Sequence, residues 1–76
     1  MIITIETTNS KAMSQVRWVG YWGSSEIGGL TVTYRNGSTY IYDDVPSEVI
    51  SEMLIDGSFG RSVNEKVKPY YAFHKA

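Results

Sequence analysis

Ile3 and Ile5 alternate with Thr4 and Glu6 near the start of the chain, and β-branched residues dominate there, which predicts a short strand over 2–6. Residues 7–12 are polar and read as a loop. Residues 16–22 alternate less cleanly but are rich in Val, Trp and Tyr, and read as a second strand. Gly23-Ser24-Ser25-Glu26 and Gly28-Gly29 punctuate a loop or turn. Leu30, Val32 and Tyr34 then alternate with Thr31, Thr33 and Arg35. Asn36-Gly37 follows, and residues 39–42 return as a partner strand. Asn and Gly both tolerate positive φ, so this pair between two alternating runs is a strong signal for a β-hairpin.

The length of the hairpin loop decides what the second strand presents. In a two-residue turn Arg35 faces Ser38 and Val32 faces Ile41. Tyr40 and Tyr42 then share a face with Thr31 and Thr33. In a three-residue loop with a Gly bulge, Tyr34 faces Tyr40 and Val32 faces Tyr42, and the tyrosines join the core. A one-residue slip sends every side chain of a strand to the other face, and the pattern leaves both loops open.

Asp43-Asp44-Val45-Pro46 ends the strand. Pro46 suits the first turn of a helix, where its missing N–H costs nothing. Val49, Ile50, Met53 and Leu54 recur at helical spacing opposite Glu48 and Glu52, which predicts a helix over 46–55. Gly57 stands where a left-handed cap is expected. After a connector, 58–61, residues 62–68 can form a short second helix with Val63 and Val67 four apart, stopped by Pro69. The tail carries Tyr70, Tyr71 and Phe73 and is expected to pack back onto the domain. The expected fold is α+β: a small antiparallel sheet of three to four strands followed by one or two short helices.

With 76 residues, one domain covering 1–76 is the expectation. A domain this small buries a limited share of its surface. The chain has no cysteine, so disulfides and Cys-based zinc sites cannot reinforce it. Close packing, homo-oligomerisation or both must do so. Residues 1–6 have neither a basic region nor a long apolar stretch, so no signal peptide is expected. No apolar run approaches the ~18 residues of a membrane span. A cytoplasmic protein with no membrane partner is therefore the expectation.

The formal net charge is −1, which argues against coating nucleic acid by charge alone. The charges are nevertheless segregated. Asp43, Asp44, Glu48, Glu52 and Asp56 run without a base, and Arg61, Lys66, Lys68 and Lys75 follow against Glu65 alone.

The order of these signals is specific. The chain reads Ser14-x-Val16-x-x-Val19-Gly20-Tyr21, then Leu30-x-Val32-x-Tyr34-x-Asn36-Gly37-x-x-Tyr40-x-Tyr42-x-x-Val45-Pro46. It continues with Val49, Ser58-x-Gly60-Arg61, Asn64, Val67 and Tyr71. This resembles the KTSC domain, a small module found at the C-terminus of some lysyl-tRNA synthetases and as stand-alone bacterial and phage proteins. The resemblance covers 14–71, with 1–13 as an extra N-terminal strand and loop. The chain departs from the family pattern at Trp22, where an acid is common, at Ile50, Ser62 and Val63, where aromatics are frequent, and at Asp56, where a small residue is frequent. The resemblance implies a binding module, with RNA as a suggested ligand.

Catalytic chemistry finds little support. His74 is the only histidine and lies in the tail, without a group to hold it as a base. No Gly-x-Ser-x-Gly elbow occurs. Asp43-Asp44 has no companion ligand cluster and reads as an acidic turn favouring the following helix N-terminus. No catalytic residue, metal site or cofactor is expected.

Tyr40 and Tyr42 offer a stacking platform of the kind single-strand binders use, with Thr31, Thr33 and Arg35 beside it if the loop has two residues. Packing against the helix that carries Met53 and Leu54 is the plainer alternative. Arg61, Asn64 and Lys68 would fall on one side of a short helix and could face phosphate, or serve as a solubilising face. Trp18 is expected in or near the core with Val16. Trp22 begins a Gly/Ser loop and could anchor a protein partner.

Two functions follow. One is a non-enzymatic module for nucleic acid or nucleotide, using Tyr40, Tyr42, Thr33, Arg35, Arg61, Asn64 and Lys68. The other is a protein–protein interaction module, for instance a phage-encoded modulator of a host protein, using Trp22, Asp43 and Asp44.

Overall fold

A computed structural model describes residues 2–6 and 12–76. The loop expected at 7–12 lies outside them except for Ala12. Five strands, β1 (Ile2–Glu6), β2 (Met13–Gly20), β3 (Ile27–Tyr34), β4 (Thr39–Pro46) and β5 (Phe73–Lys75), form one antiparallel sheet in chain order. Between β4 and β5 the chain forms α1 (Ser47–Asp56) and α2 (Phe59–Ser62), which runs on into a π-turn, Val63–Val67. The architecture is α+β. The sheet exceeds the expected three to four strands because the tail returns to pair with β4, Tyr42 opposite Phe73 and Tyr40 opposite Lys75.

The loop between β3 and β4 has three residues, 35–37. The Tyr34 N–H donates to the Ser38 carbonyl at 2.8 Å, and the Gly37 N–H to the Tyr34 carbonyl at 3.0 Å. Gly37 has φ +93°, while Asn36 keeps a negative φ. A two-residue turn of the Asn-Gly type needs positive φ at both residues, so Gly37 alone serves as the left-handed position. The Asn36 side chain instead accepts the Ser38 N–H at 2.9 Å. The resulting register pairs Val32 with Tyr40 and Leu30 with Tyr42. Neither pairing drawn from the sequence forms, but the face is that of the longer loop: Tyr40 and Tyr42 lie with Leu30 and Val32, away from Thr31 and Thr33.

Three further boundaries differ from expectation. β2 ends at Gly20 instead of Trp22, and Gly28 and Gly29 lie inside β3. A methyl group on Gly20 would overlap the Ser24 carbonyl, and one on Gly28 the Val19 carbonyl, so close backbone approach explains both glycines. Helix α1 starts one residue late, because Pro46 keeps an extended backbone (φ −67°, ψ 147°) as the last residue of β4, opposite Ile27. Gly57 caps the helix as expected, with φ +75°.

The helices cover one face of the sheet. Val16, Trp18, Leu30, Val32 and Tyr42 meet Val49, Ile50 and Met53 of α1 and Val63 and Val67 of the π-turn. Burying each of the larger side chains contributes about 1.5–3 kcal/mol. The Trp18 indole N–H donates to the Val45 carbonyl at 2.8 Å, which satisfies the one polar atom of that ring. On the uncovered face the pairings align Thr4, Arg17, Thr31, Ile41 and His74 in one row across all five strands. No helix among the described residues is long and apolar enough to cross a membrane.

Asp56 ties the end of α1 to α2. It accepts the Ser62 hydroxyl at 2.9 Å and approaches Arg61 at 3.5 Å. The Ser62 hydrogen bond, helped by Lys66 and Arg61, holds its carboxyl below the ordinary carboxylate range. A depressed folded-state pKa stabilises the fold above the unfolded value and loses that contribution as pH falls through the folded one. The Asp56→Asn variant is therefore expected to flatten the acid limb of a stability-versus-pH curve measured by urea unfolding.

Candidate functional site

The register places a row of rings along the helix side of β4. Tyr42 is buried, at 1 % exposure, and Tyr40 is half-buried at the margin of the core. Tyr34 meets Tyr40 edge to face, with ring centroids 5.8 Å apart at 84°. From β5, Phe73 packs against Tyr40 at 5.9 Å and 70°, and against Tyr42 at 5.3 Å. Such ring pairs contribute about 0.5–1.5 kcal/mol each beyond the area they bury. Together with Asn36, Ser38 and Lys68 these rings line a cleft of about 340 Å³.

The hydroxyl of Tyr42 bonds with that of Tyr34. Burial above all, then the neighbouring Tyr34 and the hydrogen bond to it, push the Tyr42 phenol up to about 12. Tyr34 is also raised, by burial first. A raised folded-state pKa stabilises the fold below the unfolded value and loses that contribution as pH rises through the folded one.

Lys68 reaches the cleft because of the π-turn. Its N–H bonds to the Val63 carbonyl, five residues back, at 2.9 Å. That extra residue turns the following chain by about 100° relative to a continuous α-helix. Arg61 and Lys68 would share a face in a continuous helix; here they separate. Arg61 pairs with Asp56, and Asn64 is exposed on the π-turn. The expected trio of Arg61, Asn64 and Lys68 thus does not converge.

Of the residues singled out for a ligand, the cleft gathers Tyr40, Tyr42 and Lys68. Thr33 points to the opposite face, and Arg35 stands in the loop outside the cleft lining. The sequence reading missed Tyr34, Asn36, Ser38 and Phe73 as lining residues. The alternation of Tyr34 with Leu30 and Val32 was a usable signal. Phe73 had none, since nothing local marks a three-residue strand.

The tail is more firmly held than expected. His74 sits in β5, its Nδ1 3.9 Å from an Asp43 carboxylate oxygen, an ion pair when the imidazole is protonated. Tyr71 is half-buried against the core, while Tyr70 and Phe73 stay exposed, so only part of the expected packing forms. Asp43 and Asp44 belong to β4, at a break in its register with β3, and do not form a turn before the helix; Glu48 is the acid in the first turn of α1.

A second feature lies at the other end of the sheet. Trp22 is fully exposed (105 %) and has φ +50°, ψ +31°. A left-handed backbone is rare for so bulky a residue. Asp44 is left-handed too, at φ +57°, and its N–H donates to the Tyr21 hydroxyl at 3.0 Å. Among the described residues, no group of three His, Asp or Glu side chains could hold a metal ion.

The KTSC domain family matches residues 12–71, from just before β2 to just before β5. The chain belongs to the KTSC family. The KTSC domain is 38 % identical over 58 residues to a protein of Tsukamurella paurometabola, covering 76 % of this chain and 84 % of that one. It is 36 % identical over 58 residues to an uncharacterized protein of Stutzerimonas stutzeri, covering 76 % of this chain and 79 % of that one. β1 and β5 of this KTSC domain lie outside the matched residues.

Two outcomes are expected. In alkaline unfolding of this KTSC domain, stability should fall between pH 10 and about 12, and Tyr42→Phe should weaken that dependence. Trp22→Gly should raise thermal stability by about 1 kcal/mol, because glycine adopts the left-handed region without strain.

Proposed function

We propose that this KTSC domain is a non-enzymatic binding module that takes a nucleotide, or one base of a single-stranded nucleic acid, in the aromatic cleft. The observation that carries this reading is the grouping of half-buried Tyr40 with Tyr34, Phe73 and Lys68 in one cleft. A base offers a flat face and ring edges, which suit aromatic walls, and its phosphate suits an ammonium. A volume of about 340 Å³ falls at the lower end of small-molecule sites, room for one such unit and not for several. Asn36 and Ser38 at the rim add amide and hydroxyl groups for polar edges. Arg61, Asn64 and Thr33 have no part in this reading. A cytoplasmic setting suits such a ligand.

With one cation in the lining, binding should be weak and modestly salt-dependent. Binding of a fluorescent mixed-sequence oligonucleotide pool, followed by anisotropy at low salt, checks the reading, with nucleoside monophosphates as competitors. Tyr40→Ala is expected to weaken binding by about tenfold, as loss of one stacking ring does. Lys68→Ala should lower the salt slope by about 1. No binding by oligonucleotides or monophosphates at low salt ends this reading. A second reading, a protein–protein interaction module acting on a host protein, is favoured by the exposure of Trp22.

A further inference from the structure

Trp22 is held out by a loop built to fix it. Gly20 and Gly28 admit no side chain, so the two ends of the loop close directly on one another. Within it the Ser24 N–H bonds to the Tyr21 carbonyl at 2.6 Å, and the Ser24 hydroxyl accepts the Glu26 N–H at 3.1 Å. The Glu26 carbonyl accepts the Ser47 N–H at 2.8 Å, which fastens the loop to the start of α1. The Tyr21 ring lies over Gly29 and its hydroxyl accepts the Asp44 N–H. These bonds fix the backbone of the loop that carries Trp22, so the fully exposed indole is presented from an ordered loop with a strained backbone.

The surroundings of the anchor are acidic. Glu26, Asp44 and Glu48 lie at this end of the sheet, joined through the Tyr21–Asp44 and Glu26–Ser47 contacts. The aromatic cleft opens toward the other end, where Lys68 and Lys75 stand, Lys75 opposite Tyr40; Glu65 is the acid nearest Lys68 in the chain. The eight residues of β3 separate the two ends by roughly 24 Å. Trp22 is fully exposed, so it does not occupy the cleft of its own molecule.

We infer that Trp22 of one molecule docks in the aromatic cleft of a second copy of this chain. The cleft supplies ring faces and edges for the indole and the Lys68 ammonium for a cation–π contact. The acids beside Trp22 then approach the bases beside the cleft. The contact joins two different patches, so it either closes as a reciprocal pair or propagates head to tail.

The test needs only the protein itself. Sedimentation velocity from about 10 µM to about 1 mM spans the range of a small, transient contact. Wild-type protein should associate with rising concentration, more weakly at high salt. Its tryptophan emission should shift to the blue as Trp22 becomes covered, since Trp18 is already buried. Trp22→Gly and Lys68→Glu should each weaken association by about tenfold or more. Each variant keeps one half of the contact, Trp22→Gly the cleft and Lys68→Glu the indole. Mixing Trp22→Gly with wild type should restore one contact per pair, whereas mixing two preparations of Trp22→Gly should not. Monomer at every concentration, or association that survives Trp22→Gly, would overturn the inference. A domain that binds nucleotide yet stays monomeric also overturns it while leaving the nucleotide reading intact.

Discussion

Everything on the helix side of the sheet depends on the backbone bond between Tyr34 and Ser38. It sets three residues between β3 and β4, and with that count it sends Tyr40 and Tyr42 to the face of Leu30 and Val32. One residue fewer would turn both rings to the open face, beside Thr31 and Thr33, and leave Ile41 against the helices. The core would then lose its second-largest fully buried side chain, and the cleft its floor. The loop carries this constraint cheaply: one left-handed glycine and one Asn36–Ser38 bond fix it.

Much of this was legible in the chain. The alternation over Leu30 to Tyr34, the helical spacing of Val49, Ile50 and Met53, and the cap at Gly57 each correspond to a local rule that tertiary packing did not override. The unreadable parts share a cause: they depend on contacts between distant segments. Gly28 and Gly29 look like turn residues, yet both extend β3, and at Gly28 the backbone of β2 passes too close for a side chain. β5 is three residues long, and only the waiting edge of β4 makes it a strand. The candidate site has one part of this kind, since Tyr40, Tyr42 and Lys68 meet only in the fold; Arg61 is instead separated by the π-turn and pairs locally with Asp56, five residues back.

Part of the described charge separates along the long direction of the sheet. Acids gather where β2 turns into β3 and α1 begins, and bases gather beside the β3–β4 loop and β5. A net charge of −1 conceals this separation, since a sum over the chain carries no position. The matched family residues stop at 71, so Phe73 and Lys75, which flank the cleft, come from a strand beyond them. The cleft thus combines a family framework with a wall supplied by the flanking segment.

The π-turn at Val63–Val67 makes chain length, and not residue identity, the variable that aims Lys68. No exchange of one amino acid for another swings a side chain through more than a quarter turn about a helix axis, whereas loss of one residue from this segment does. Val63 and Val67 would also have to give up their shared burial in the core, so such a deletion would be felt at both ends of the segment. The register of this stretch is accordingly tuned in steps of one residue, and the position of Lys68 at the cleft changes by insertion or deletion, not by substitution.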